Sequence, residues 1–188
     1  MMTMLWRPVC LAAVGLLSLS GCGLVGQTKI VRGSVPDSIT VTSPAFREGA
    51  SIPVRFACTD QGGQGKTPPL RWSVASPGVV AQALVIDDPD APSGAYVHWV
   101  LFNIDATANE MLEGVVPRHA EQAMNTAGKV GYFPPCPPKG EQHRYRFTVY
   151  ALDQKVPLPN GAKLDKVLSE IAQRTVARGR MTVQFGKG

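Results

Sequence analysis

Along this chain, short runs of β-branched, aromatic and other apolar residues are separated by clusters of glycine and proline. Such runs read as strands, because branched and aromatic side chains pack well on a pleated surface while glycine and proline mark the turns. The pattern predicts strands at Ile39–Thr42, Ile52–Ala57, Leu70–Val74, Ala81–Asp87, Tyr96–Ile104, Arg144–Leu152 and Met181–Phe185. Tyr96–Ile104 is apolar on both alternating faces, with Tyr96, His98, Val100, Phe102 and Ile104 on one side and Val97, Trp99 and Leu101 on the other. That is the expectation for a central strand covered twice. Around Arg144–Leu152 the alternation is sharper: His143, Tyr145, Phe147, Val149 and Ala151 point one way, and Arg144, Arg146 and Thr148 the other.

One segment carries a helical period instead. Leu164, Val167, Leu168, Ile171, Ala172 and Thr175 fall on one stripe, and Gly179 is placed to stop the helix. Ala120–Met124 is expected to form a short helical turn. Many strands with one clear helix predict a mainly β fold, a Greek-key-type β-sandwich with one or two peripheral helices.

Ahead of these elements, Arg7 precedes an apolar run, Val9–Leu19, that is too short to span a bilayer. Leu19-Ser20-Gly21-Cys22 closes the run and resembles a bacterial lipobox. The resemblance implies that residues 1–21 are a lipoprotein signal peptide, removed before Cys22. The Cys22 thiol would take a diacylglyceryl group and the new amine is usually acylated, for example with palmitate. Each buried methylene contributes roughly 0.8 kcal/mol, so two or more chains anchor durably. Residues 22–37, with Gly23, Gly26, Gly33, Ser34 and Pro36, read as a lipidated tether, and residues 38–188 as the folded domain. The expected location is a cell membrane, lipid-anchored, outside the cytoplasm.

Cleavage leaves 167 of the 188 residues, enough for one domain with a full core. The net charge of +5 falls to +4, because Arg7 is the only charge removed. Basic residues gather in the last third, but they are dispersed, without a basic run or an aromatic ladder, so no nucleic-acid partner is expected. Cys10 leaves with the leader and Cys22 carries lipid, which leaves Cys58 and Cys136 in an oxidising compartment. They pair in a disulfide or stay as free thiols, and the sequence leaves both open. Neither has a second cysteine or a histidine at ligand spacing, so no metal site is expected there. No cofactor motif is present.

Two segments carry candidate chemistry. Asp87-Asp88-Pro89-Asp90-Ala91-Pro92 leaves an apolar strand, and His98-Trp99 follows on the next one. Pro134-Pro135-Cys136-Pro137-Pro138-Lys139-Gly140 leads to His143-Arg144-Tyr145. Prolines hold both loops in few conformations. Two histidines and a tyrosine entering an apolar layer need polar partners, and Asp88 and Asp90 are suitable ones.

On these residues the chain resembles the phosphatidylethanolamine-binding protein family, also called the Raf-kinase-inhibitor-protein family, on its bacterial branch. Asp87 to Pro92, His98-Trp99, Asn103-Ile104, Cys136-Pro137-Pro138 with Gly140, and His143-Arg144-Tyr145 carry the likeness. Ile52-Pro53, Asp60, Pro68-Pro69-Leu70 with Trp72, and Asn125 with Gly128 extend it over about residues 46–185. The resemblance implies a β-sandwich with a small surface pocket that accepts phosphate, acetate or a phosphoethanolamine headgroup. The ligand-binding set carried over by motif is Asp88, Asp90, His98, Pro137, Pro138, His143 and Tyr145. Pro134 departs from the pattern, since relatives usually have glycine there, and proline removes an N–H donor.

The expected function is therefore a membrane-tethered, anion-binding module, without catalytic residues, whose partners are a phosphate-like small anion and, through the lipid, a membrane. A regulatory module that inhibits an envelope or secreted protease is the alternative. A metal-dependent phosphoester hydrolase built on Asp88, Asp90, His98 and His143 is the second alternative.

Overall fold

The computed structural model describes residues 35–73 and 77–187. The segment expected to be a signal peptide, Cys22, most of the expected tether and Val74 lie outside the described residues.

Eight strands and one helix are formed among the described residues: β1 (Val41–Thr42), β2 (Leu70–Trp72), β3 (Ala81–Asp88), β4 (Tyr96–Asp105), β5 (Glu110–Met111), β6 (Glu121–Gln122), β7 (Gln142–Leu152), α1 (Leu164–Arg174) and β8 (Thr175–Gly186). A five-stranded antiparallel sheet has the order β6-β4-β3-β7-β8, and a small sheet has the order β1-β2-β5. Within the large sheet β3, β4 and β6 are successive neighbours, and β7 returns to the far side of β3. This is a Greek key, with β5 as an excursion into the second sheet.

The large sheet is covered on both faces. Leu84, Ile86, Trp99, Leu101, Phe147, Val149 and Val183 pack toward the small sheet, against Val41, Leu70, Trp72 and Met111. Ala83, Val85, Val100, Phe102 and Leu152 pack the other way, against Val167 and Ile171 of α1. Buried Gln82 ties the layers together. Its Oε1 accepts from the Trp72 indole at 2.7 Å, and its amide nitrogen donates to the carbonyls of Asp105, Ala106 and Ala108. Every polar atom of that side chain is thereby satisfied, as burial requires.

Tertiary contacts overrode several local expectations. Ile52–Ala57 is not a strand: Pro53 cannot donate to a ladder, and Val54–Phe56 winds into a 3-10 turn that drives Phe56 onto the ring of Phe46 at 5.9 Å. Ala120–Met124 is not helical, because β4 offers its edge and Glu121–Gln122 pairs with it as β6. The helix stops at Arg174 rather than at Gly179. Thr175 caps it through a 2.6 Å bond from its hydroxyl to the Ile171 carbonyl, and the chain runs straight into β8.

Gly179 lies inside β8, where any side chain would overlap the Ile39 carbonyl that crosses it. That crossing protects a sheet edge. Pro36, Ile39, Gly49, Ala50 and Ile52 bond to β8 at Arg178, Thr182 and Gln184, so the outer strand is not left open to another chain. Pro36 and Asp37, expected in the tether, are attached here, with the Asp37 carboxylate 2.6 Å from the Arg178 guanidinium.

Candidate functional site

Because β4 and β7 both run antiparallel to β3, each begins where β3 ends. This topology brings Asp88, His98, His143 and Tyr145 to one end of the sheet. Together with Tyr96, Phe133, Pro137 and Pro138 they line a cavity of about 260 Å³.

At the end of β3 the pleat sends two neighbouring aspartates to opposite faces. Asp87 turns outward to an ion pair with Arg146, its cross-strand partner. Asp88 turns into the cavity, where its Oδ2 lies 2.7 Å from His143 Nδ1 and its Oδ1 accepts from the Asp90 backbone N–H at 2.8 Å. Asp90 does not line the cavity. The turn after Asp88 carries it to the opposite face, where Arg144 binds it through its backbone N–H at 2.8 Å and its guanidinium at 2.6 Å. The Arg144 hydrogen bond holds the Asp90 carboxyl at about 2, below the usual carboxylate range.

His98 reaches the cavity through a β-bulge. Ile86 faces Trp99 and Asp87 faces Val97, so His98 is the extra residue between them. A second irregularity follows toward Ile104, near Asn103, whose φ is 56°. Strict alternation is therefore lost: Val97, Val100 and Phe102 share the helix face, whereas Trp99, Leu101 and Ile104 face the small sheet. His98 joins the latter side and meets the Tyr145 ring edge-on at 5.3 Å. It is clamped twice by Phe133: its Nδ1–H donates to the Phe133 carbonyl at 2.7 Å, and the Phe133 N–H donates to the His98 carbonyl at 2.9 Å. Burial pushes the His98 pKa down, outweighing the support of the Phe133 carbonyl and Asp88. His98 is thus neutral, with the lone pair on Nε2.

His143 is the opposite case. Burial opposes its charge, but the hydrogen bonds its ring donates to Glu141 and Asp88 outweigh burial and raise its pKa. Glu141 Oε2 lies 2.9 Å from Nε2 while Asp88 holds Nδ1. Two carboxylates on one ring are satisfied only when both nitrogens donate, which makes His143 an imidazolium. Both nitrogens are engaged, and among the described residues no group of three or more His, Cys, Asp or Glu converges to hold a metal ion.

Tyr145 is completely buried, and its hydroxyl finds no hydrogen-bond partner among the described residues. Burial, with Asp88 and Asp90 near, pushes its pKa up, so it stays a neutral donor.

The proline-rich wall is held from outside. Cys136 is joined to Cys58 in a disulfide, the Cys58 N–H donates to the Pro135 carbonyl at 3.0 Å, and the Gln61 amide donates to the Pro137 carbonyl at 2.9 Å. Pro134 is not part of the lining and stands close to Gly65.

Sequence reasoning named Asp88, His98, Pro137, Pro138, His143 and Tyr145, all of which line the cavity, and missed Tyr96 and Phe133 in the same lining and Glu141, which bonds His143 from the adjoining groove. The signal for Glu141 was present. It lies two residues before His143 and four before Tyr145, so the same alternation that pairs those two puts it on their face. Phe133 carries no local signal, since only the folded loop sets its carbonyl against His98.

The family model described as phosphatidylethanolamine-binding protein matches residues 42–186. The chain belongs to that family. Among relatives of this phosphatidylethanolamine-binding-protein domain, a Mycobacterium tuberculosis protein named as lipoprotein LppC is 37% identical over 194 residues, covering 93% of this chain and 94% of its own. The crystal structure of a phosphatidylethanolamine-binding protein homolog from Chlamydia trachomatis superposes with a TM-score of 0.73 at 32% identity, covering 81% of this chain and 99% of that one. The E. coli protein YbcL, described as a member of the mammalian family, gives 0.74 at 27%, covering 80% and 99%. The phosphatidylethanolamine-binding-protein fold supports a ligand-binding role for this chain, and the similarity to LppC suggests a membrane-associated lipoprotein. No helix among the described residues is long and apolar enough to cross a membrane.

Proposed function

We propose that this chain is a membrane-tethered binding protein whose cavity takes a small anion, phosphate or a phosphoethanolamine-like headgroup. The observation that carries the reading is the Tyr145 hydroxyl, buried without a partner among the described residues in the wall of a cavity shared with His98 and imidazolium His143. A buried hydroxyl left unpaired costs about 1–3 kcal/mol, and an anionic oxygen in the cavity would accept its hydrogen. His98 Nε2 accepts a hydrogen bond from the P–OH of a monoprotonated phosphate, or takes up a proton from solvent and then donates to a phosphate oxygen, so affinity is expected to rise as the solution is acidified toward the His98 titration. Asp88 and Glu141 offer acceptors for an ammonium group on the same ligand.

Isothermal titration with inorganic phosphate and phosphoethanolamine tests this reading. Wild-type protein is expected to give saturable heat, and Tyr145→Phe to lose about tenfold in affinity, as for one hydrogen bond to a charged group. Absence of heat for both ligands, with an intact circular-dichroism spectrum, rejects the anion pocket.

The lipobox-like Leu19-Ser20-Gly21-Cys22 and the likeness to LppC support tethering through Cys22. In a bacterial host, wild-type protein is expected to sediment with membranes and to partition into detergent. Cys22→Ala should release most of it to the soluble fraction; equal partitioning of the two proteins would remove the tether from the proposal.

A further inference from the structure

We propose that Glu141 is a built-in competitor for the anion: its carboxylate occupies the His143 Nε2 donor that an anionic ligand needs, and so biases the cavity toward ligands carrying an ammonium group beside the anion. The inference rests on the reading of the cavity as an anion site and assigns a selectivity device to it.

The two bonds of His143 are unequal. Asp88 and His143 are each only 5% exposed, and Asp88 is further fixed by the Asp90 backbone N–H, so the bond to Nδ1 is permanent architecture. Glu141 is 51% exposed at its side chain and bonds Nε2 from the rim, so it can exchange His143 for water at small cost. Glu141 also lines an adjoining groove of about 830 Å³, together with Lys139, Lys187 and Asp60. A carboxylate displaced from His143 therefore has two ammonium groups within the groove that it already borders.

The charge balance sets the selectivity. The groups facing His143 are Asp88 from β3, Glu141 from the segment before β7, neutral His98 from β4 and neutral Tyr145 from β7 itself. Asp87 and Asp90 are neutralised by Arg146 and Arg144 on the far face. With Glu141 in place, two carboxylates face one imidazolium, and an incoming dianion is repelled. With Glu141 turned away, Nε2–H and the Tyr145 hydroxyl become two donors to the anion, and the local charge is balanced. Inorganic phosphate must displace Glu141 to bind. A phosphoethanolamine ligand displaces it as well, but then offers its own ammonium to the freed carboxylate.

The test is titration of wild type, Glu141→Ala and Glu141→Gln with inorganic phosphate and with phosphoethanolamine, each protein checked for folding by circular dichroism. Glu141→Ala is expected to bind phosphate about tenfold more tightly, the size of one charge-assisted hydrogen bond no longer competed for. It should also lose most of the preference for phosphoethanolamine. Glu141→Gln keeps an acceptor oxygen without the charge and should fall between. If wild type binds and Glu141→Ala binds phosphate no better, the competitor role is overturned while the anion pocket stands. If neither protein binds either compound, both are overturned.

Discussion

Replacing Cys58 and Cys136 together by alanine is expected to lower the unfolding free energy by about 4 kcal/mol and to weaken anion binding roughly fivefold. The bridge spans 78 residues of sequence, a separation at which loop closure removes much of the freedom of the unfolded chain. It also joins the proline-rich wall of the cavity to the segment that leads into the turn at Thr59–Gln61. Without it the wall retains the Cys58–Pro135 backbone bond, the Gln61–Pro137 bond and the Phe133–His98 clamp. These keep the loop near its place but not as rigidly, so the affinity loss is smaller than the stability loss. Urea unfolding gives the first quantity and titration calorimetry the second. An unchanged unfolding midpoint would show that the bridge does not stabilise the fold, and an unchanged affinity that it does not hold the wall.

Asp88→Ala is expected to cost about 3 kcal/mol near pH 5.5 and clearly less near pH 9. The substitution leaves the buried His143 ring without its Nδ1 acceptor and frees the Asp90 N–H that anchors the following loop. The pH dependence follows from His143. Its folded-state pKa is raised above the ordinary histidine value, so the stability it contributes is fully present below that ordinary value and is lost as pH rises through the raised one. Once His143 is neutral, the loss of its carboxylate partner matters less. His98, whose pKa is depressed, contributes with the opposite sign: its stabilisation is present above the ordinary value and lost as pH falls through the lowered one. Asp88 supports the His98 charge, so its removal depresses that pKa further and adds to the cost of the substitution at the acid end rather than cancelling in the difference. Denaturant unfolding of the two proteins across this range measures the effect. A difference that does not change with pH would remove the ion pair as its cause.

The two candidate segments and the sandwich were legible because their signals are local. Alternation along Arg144–Leu152 correctly assigned the faces of His143, Tyr145 and Phe147, and the proline-stiffened run after Asp87 marked the end of a buried strand. Elements whose conformation depends on a distant partner were not legible. Val54–Phe56 has the composition of a strand, but Pro53 and the Phe46 ring turn it into a 3-10 turn. Glu121–Gln122 has little strand character, yet β4 recruits it. Gly179 looked like a helix stop because its real reason, the crossing of Ile39, lies 140 residues earlier in the chain.

The same division holds at the site. By itself, the order of residues determined the mainly β architecture through its alternation and the family through the resemblance of two motifs, and that resemblance implied six of the side chains that meet in the cavity. Only the tertiary structure decided that Asp90 faces out to Arg144, that a bulge turns His98 inward beside Trp99, and that Glu141 covers the outer nitrogen of His143. The physical reason is register. A one-residue shift in strand pairing sends a side chain to the other face, and that shift is set by neighbouring strands rather than by the residues that undergo it.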